Sequence, residues 1–325
     1  MPDMEPSTLP TVEIMSPVKM SLVDVSKIFS KLQPRNQDDN AEINQINQAV
    51  TRNDASLLDD LLSQERYGRL INNRSGWGVP GTPLRLAASK GHLGCLEVLL
   101  RHGAEVDSLD VKAQTPLFTA VSGRHLHCVI ALLRAGANPN GSIYNNCSPV
   151  LTAAREGDIG ILKALLEHGA EVNVRSKVPD WASNACACSG PLYLASVYRH
   201  YDCFRQLLLY GADPNYNCTE QRVLARIKQP KTVLEMCLRY GCGPQYIQLL
   251  IDFGANLYLP GHAPVKNTQQ NKAAELLVRA TAQPRPLMSL TRLAIRKHLK
   301  VIGRLHSIDQ LDIPSILRKY LDHQT

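Results

Sequence analysis

Residues 82–104 read TPLRLAASKGHLGCLEVLLRHGA, residues 115–137 read TPLFTAVSGRHLHCVIALLRAGA, and residues 148–170 read SPVLTAAREGDIGILKALLEHGA. The three stretches begin 33 residues apart, and their agreement is positional rather than compositional. Thr82, Thr115 and Ser148 head them, each followed by a proline; Ala87, Ala120 and Ala153 share a register, as do Leu99-Leu100, Leu132-Leu133 and Leu165-Leu166. Each ends on Gly-Ala, at Gly103, Gly136 and Gly169. A hydroxyl residue can cap a helix, and proline fits the first turn, where no intrahelical N–H is lost. Alanine lets neighbouring units approach closely, the leucine pair fills the space between them, and glycine supplies the left-handed residue that ends the second helix.

Weaker copies flank these units. Gly190-Pro191-Leu192, Ala195, Leu207-Leu208 and Gly211-Ala212 form one; Thr232-Val233-Leu234, Gly241, Leu249-Leu250 and Gly254-Ala255 form another. Upstream, Ala49, Leu57, Leu61 and Leu62 fit a degenerate first unit over about 44–73. The 33-residue unit resembles the ankyrin repeat, which implies an all-α solenoid of about six helix-turn-helix repeats over 44–257. The histidine that the repeat carries after T-P-L is replaced by Arg85, Phe118, Leu151, Tyr193 and Glu235, so the usual Thr–His hydrogen bond is not expected.

Departures from the period locate the loops. The connections at 108–114 and 141–147 have seven residues, whereas those at 174–189 and 216–231 have sixteen. In a solenoid such insertions protrude on one face and often take part in recognition. Trp181 lies in the first long insertion, and Trp77 in the connection RSGWGVPG. With Tyr144 they are the candidate target-binding anchors, since exposed aromatic side chains suit interfaces; the plainer reading packs both tryptophans against helix ends.

Composition narrows the function classes. The chain has 325 residues with 36 Lys+Arg against 29 Asp+Glu, a net charge of +7. That is too mild for an obligate nucleic-acid binder. No apolar run approaches the roughly 20 residues of a membrane-spanning helix. The amino terminus, MPDMEPSTLPTVEIMSP, lacks the basic and apolar regions of a signal peptide. Nine cysteines, an odd number, then fit reduced thiols in the cytoplasm and also the nucleus. Residues 1–43 read as a disordered tail carrying a short amphipathic helix at 21–32, where Leu22, Val25, Phe29 and Leu32 share a face. Residues 258–282 read as a linker with a short helix around 273–280.

Two apolar-basic segments close the chain: PRPLMSLTRLAIRKHL at 284–299 and SIDQLDIPSILRKYLDHQT at 307–325. The first resembles the elongin-C-binding box of the SOCS box through Pro286, Leu287, Thr291 and Ile295, with Leu290 on the same apolar stripe and Thr291 where the family has cysteine. A threonine hydroxyl can bond back to its own helix. Arg292, Arg296 and Lys297 read as the solvated face. The second resembles the cullin box through Leu311, Asp312, Ile313, Pro314, Leu317 and Tyr320-Leu321, with Asp312 where the family has proline and Pro314 opening a helix. Together they imply a small three-helix SOCS box at 283–325.

The order of these parts resembles the ankyrin-repeat and SOCS-box family. That resemblance implies a non-catalytic substrate receptor of a ubiquitin ligase, a monomer within a hetero-complex. Its SOCS box would hold elongin C, with elongin B, and cullin-5 with its RING partner, while the solenoid presents an unknown protein substrate for degradation. Such a receptor contributes proximity. Leu287→Pro is expected to break the helix and remove its anchor. The rival is a plain ankyrin scaffold whose last helices only cap the solenoid. A third reading gives Arg285, Arg292, Arg296, Lys297, Lys300 and Arg304 to nucleic acid.

Other patterns carry less. Gly76–Gly81 matches G-x-G-x-x-G, but a dinucleotide site needs a preceding strand that the repeat period forbids. Cys186 and Cys188, with His200 and Cys203, match no zinc spacing. His92, His125 and His127 recur at helix turns and read as structural. No metal or other cofactor is expected.

Overall fold

The computed structural model describes residues 37–74, 81–142, 144, 148–174, 190–215, 232–257 and 272–324, with side chains from residue 41. Twelve of its helices pair into six repeats: α1 (Gln37–Arg52) with α2 (Ala55–Leu62), then, after the single turn α3 (Glu65–Gly68), α4 (Pro83–Lys90) with α5 (Leu93–Arg101). There follow α6 (Pro116–Ser122) with α7 (Leu126–Arg134), α8 (Pro149–Glu156) with α9 (Ile159–Glu167), α10 (Pro191–Val197) with α11 (Tyr201–Leu209), and α12 (Val233–Arg239) with α13 (Pro244–Asp252). Helix α14 (Lys272–Ala282) leads to a carboxy-terminal unit of α15 (Leu287–Val301), a 3-10 turn (Leu305–Gln310) and α16 (Ser315–Leu321). Helix α1 begins at Gln37, within the stretch read as a tail from sequence; the 21–32 segment lies outside the described residues.

The caps form as the spacing predicts. The hydroxyls of Thr82, Thr115, Ser148 and Thr232 accept from the N–H groups of Arg85, Phe118, Leu151 and Glu235 at 3.0–3.4 Å. Helix α10 has Gly190 at this position and no side-chain cap. In place of the Thr–His bond, Thr82 Oγ1 meets Ser108 Oγ at 3.0 Å, and Arg85 Nε lies 3.0 Å from buried Asp110. Asp110 Oδ1 in turn accepts from the backbone N–H groups of Lys112 and Gln114, which holds the connecting turn.

Two hydrogen-bond ladders stitch repeat to repeat. In one, a side-chain oxygen of Asn72, Asp107, Asn140, Asn173 and Asn215 accepts the backbone N–H of Glu105, Asn138, Glu171, Asp213 and Asn256. These five bonds join six units. In the other, the imidazoles of His92, His125 and His200 donate to the carbonyls of Val50, Ser89 and Arg155 in the repeat before, and the thiol of Cys242 does the same to Ser196. Orphan carbonyls at the ends of four first helices, α1, α4, α8 and α10, thus find partners. The left-handed residue between the helices is Gly91, Gly157 or Gly241 in three repeats, but Arg124 (φ 59°) and Arg199 (φ 60°) in two others.

One apolar core runs through the solenoid from Ile43 to Ala273, with Leu276, Leu277 and Ala280 of α14 packed on it. A second, small core belongs to the carboxy-terminal unit: Leu299, Leu305, Ile308 and Leu321, with Leu311 and Ile313 partly buried beside them.

Candidate interaction surface

Helix α15 starts after Pro286, whose extended backbone (φ −56°, ψ 144°) turns the chain into it and whose carbonyl accepts from Leu290 at 3.2 Å. Leu287 is the first helical residue. Proline is tolerated there, because that N–H has no intrahelical partner. The expectation that Leu287→Pro breaks the helix is therefore corrected: the change removes the side chain and leaves the helix.

The helix is turned the opposite way from an ordinary amphipathic cap. Arg292 and Arg296 are buried at 8% and 5% exposure, whereas Leu287 is 77% exposed and Val301 is 78% exposed. Met288, Leu290, Ile295 and Ile302 are exposed as well. Reading Arg292 and Arg296 as the solvated face is thus overturned; Lys297 is exposed as expected. An apolar stripe normally faces the core and charge faces water, so the inverted stripe is a candidate interaction surface.

The cations turned toward the solenoid explain the inversion. Arg296 Nη1 donates to the Leu321 carbonyl at 2.8 Å, and Nη2 to the Leu209 carbonyl at 2.6 Å. Lys300 Nζ donates to Gly211 O at 2.7 Å, and Arg285 Nη2 to Ala255 O at 2.7 Å. Each acceptor lies at or just past the end of a helix, where unpaired carbonyls and the helix dipole favour a cation. Arg292 stands 3.8 Å from Asp252 and lies over the Tyr320 ring at 4.6 Å. Burial lowers Arg296 to about 10, which leaves it charged at neutral pH, and pushes the Asp252 carboxyl up. His323 stacks on Phe253 with ring centroids 4.0 Å apart; burial first, then Arg292, Arg296 and Arg205, lower it to about 3, so its ring is neutral. Four of the cations considered for nucleic acid are thereby engaged with main-chain carbonyls or Asp252.

Of the residues read as an elongin-C box, Leu287, Leu290, Thr291 and Ile295 lie exposed on α15, and Pro286, also exposed, precedes it. The Thr291 hydroxyl donates to Met288 O at 2.8 Å, three residues back rather than four. The cullin-box residues divide. Asp312, Pro314 and Leu317 are exposed; Leu311 and Ile313 are half-buried against the small core, and Tyr320 is half-buried under Arg292. Pro314 precedes α16 as its cap residue, and Ser315 is the first helical position. Sequence reading missed Met288, Val301, Ile302 and Ile316, all exposed. The signal for Val301 and Ile302 was available: they continue the Leu287, Leu290, Ile295 stripe at helical spacing.

On the solenoid, Tyr144 is 70% exposed, while Trp77 and Trp181 lie outside the described residues. So do Cys186, Cys188 and most of the G-x-G-x-x-G segment. The described partners in the metal reading are engaged elsewhere: His200 bonds Arg155 O, and Cys203 is buried with its thiol pushed up to about 11, mainly by desolvation.

The matches to known families follow this geometry. The description "Ankyrin repeats (3 copies)" matches residues 46–143 and 84–176, "Ankyrin repeat" matches 190–218, and "SOCS box" matches 283–322. Ankyrin repeat and SOCS box protein 12 of Homo sapiens is 67% identical over 308 residues, covering 94% of this chain and 100% of the relative. Its Mus musculus counterpart is 63% identical with the same coverage. Ankyrin repeat and SOCS box protein 1 of Homo sapiens is 45% identical over 88% of this chain and 90% of the relative. The crystal structure of human ASB11 ankyrin repeat domain superposes with a TM-score of 0.54 at 24% identity, over 74% of this chain and 98% of that one, a likeness of fold. Six stitched repeats, the box at 283–322 and this identity over nearly the whole length place the chain in the ankyrin repeat and SOCS box family.

Proposed function

We propose that the chain is the substrate-recognition subunit of an elongin B/C–cullin-5–RING ubiquitin ligase. The SOCS box holds elongin C and cullin-5, and the ankyrin repeats bind the protein to be ubiquitinated. One observation carries this reading: the apolar stripe of α15, from Leu287 to Ile302, faces solvent while its arginines face the solenoid. A helix that served only as a cap would bury the leucines, since each contributes about 1.5–3 kcal/mol when covered. The scaffold reading leaves that stripe without a purpose. The chain contributes no chemistry of its own; it raises the local concentration of substrate lysines near the charged E2. The five described cysteines, all buried free thiols, support a reducing compartment, and we assign the cytoplasm and nucleus.

Co-expression with elongins B and C, followed by addition of cullin-5, tests the proposal. A stoichiometric ternary complex that shifts again with cullin-5 is the expected result. A chain that purifies as a monomer indifferent to both elongins overturns it.

A further inference from the structure

The ends of two helices meet at one side chain. Helix α11, in the fifth repeat, ends at Leu209, and α16, the last helix of the SOCS box, ends at Leu321. Arg296 donates to the terminal carbonyl of each, at 2.6 and 2.8 Å, with a further contact to Leu208 O at 3.5 Å. Both helix ends carry partial negative charge, about half an elementary charge each, and would repel one another without a cation between them. Arg296 is 5% exposed and packs over the Phe253 ring at 5.1 Å, so its position is set on every side. Arg205 from α11 adds a bond to His323 O, and Lys300 closes on Gly211 O.

We infer that Arg296 is a positioning residue that fixes the angle between the substrate-binding solenoid and the partner-binding face of α15. The small core of Leu299, Leu305, Ile308 and Leu321 joins α15 to the 3-10 turn and α16 within the SOCS box, and Leu305 rests against Gly211. Onto that contact the Arg296 and Lys300 bonds to Leu209 O and Gly211 O add directional, charge-assisted attachment to the fifth repeat. Such bonds specify orientation in a way that apolar contact does not. Because α15 carries Arg296 inward and the stripe outward on one rigid helix, locking one directs the other. In a receptor that works by proximity, that angle sets where a bound substrate stands relative to the E2. This meaning rests on the receptor reading; the lock itself does not.

The test uses the full chain without elongins, with spin labels on ketone-bearing residues introduced at exposed Glu97 and Lys319, and compares Arg296→Gln, Arg296→Lys and Lys300→Met. The parent is expected to give one narrow inter-label distance. Arg296→Gln broadens that distribution at least two-fold in width, Arg296→Lys recovers part of it, and Lys300→Met broadens it less. Hydrogen exchange of the 299–310 amides stays as in the parent in all three. A distribution that is broad in the parent, or that stays narrow in Arg296→Gln and Lys300→Met, overturns the lock. So does loss of amide protection throughout 299–310, which would make Arg296 part of the box's own fold. Elongin capture is scored separately, so failure of the receptor reading would leave this result standing.

Discussion

Arg124 occupies a left-handed backbone conformation in one repeat, and its guanidinium donates to the Glu156 carbonyl of the next at 2.9 Å. The same relation recurs between Arg199 and Tyr240 at 2.7 Å. In both cases a residue whose backbone favours glycine is compensated by capping the adjacent first helix of the following repeat. Non-glycine residues in this region cost about 1–2 kcal/mol, and the capping bond offsets part of it.

Arg124→Ala keeps the strain and loses the bond, so stability should fall by roughly 1 kcal/mol. Arg124→Gly loses the same bond but relieves the strain, and should lie close to the parent. Urea denaturation of the three chains checks the order; an Arg124→Gly no more stable than Arg124→Ala would show that the left-handed backbone carries no cost.

At the partner face, Leu287→Asp should abolish elongin C capture while leaving stability within about 0.5 kcal/mol of the parent, as expected of an exposed position. Aspartate in the first helical turn favours the dipole, so the helix persists. Val301→Ser should weaken capture several-fold if the occupied stripe reaches the end of α15. Pull-down and calorimetry read both, with circular dichroism confirming the helix.

The SOCS box sits close against Gly211, where a substitution separates docking from strain. A Cβ added at Gly211 (φ 86°) would lie 2.8 Å from Leu305 Cδ2, whereas one at Gly136 (φ 89°) meets nothing within 4 Å. Gly136→Ala should therefore cost only the strain, about 1–2 kcal/mol. Gly211→Ala should cost about 1–2 kcal/mol more from overpacking. Equal values from chemical denaturation would mean that the box does not rest on the fifth repeat at Gly211.

His323 introduces a pH dependence. Its folded-state value of about 3 lies below the ordinary 6.5, so between these values the unfolded chain binds a proton that the folded chain refuses. The stabilisation is complete above about pH 6.5 and declines as pH falls toward 3. Asp252, raised by burial, acts in the opposite sense. Thermal melts should show a loss of stability from pH 7 to pH 5 that flattens in His323→Gln; identical slopes would show that His323 titrates normally.

The repeat frame was legible because each of its positions answers a local demand. Thr82 caps, Pro83 starts, Gly103 stops, and the same demands recur every 33 residues. The histidine and asparagine ladders were not legible beyond a structural role for His92 and His125, since their partners lie in the neighbouring repeat. The box residues Leu287, Leu290, Thr291 and Ile295 could be placed on one helical face by spacing alone.

Spacing defines the faces of α15 but not the direction in which each points. An amphipathic stripe reads inward by default, because isolated apolar surface seeks cover. Here tertiary structure decides otherwise: the carbonyl ends of α11 and α16 converge where Arg296 can satisfy both, and Lys300 finds Gly211 beside them. The local chain determines caps, turns and stripes, because those depend on neighbours within one or two helical turns. Which stripe is left for a partner depends on helix ends 87 and 25 residues away in the chain, which only folding brings to the same guanidinium.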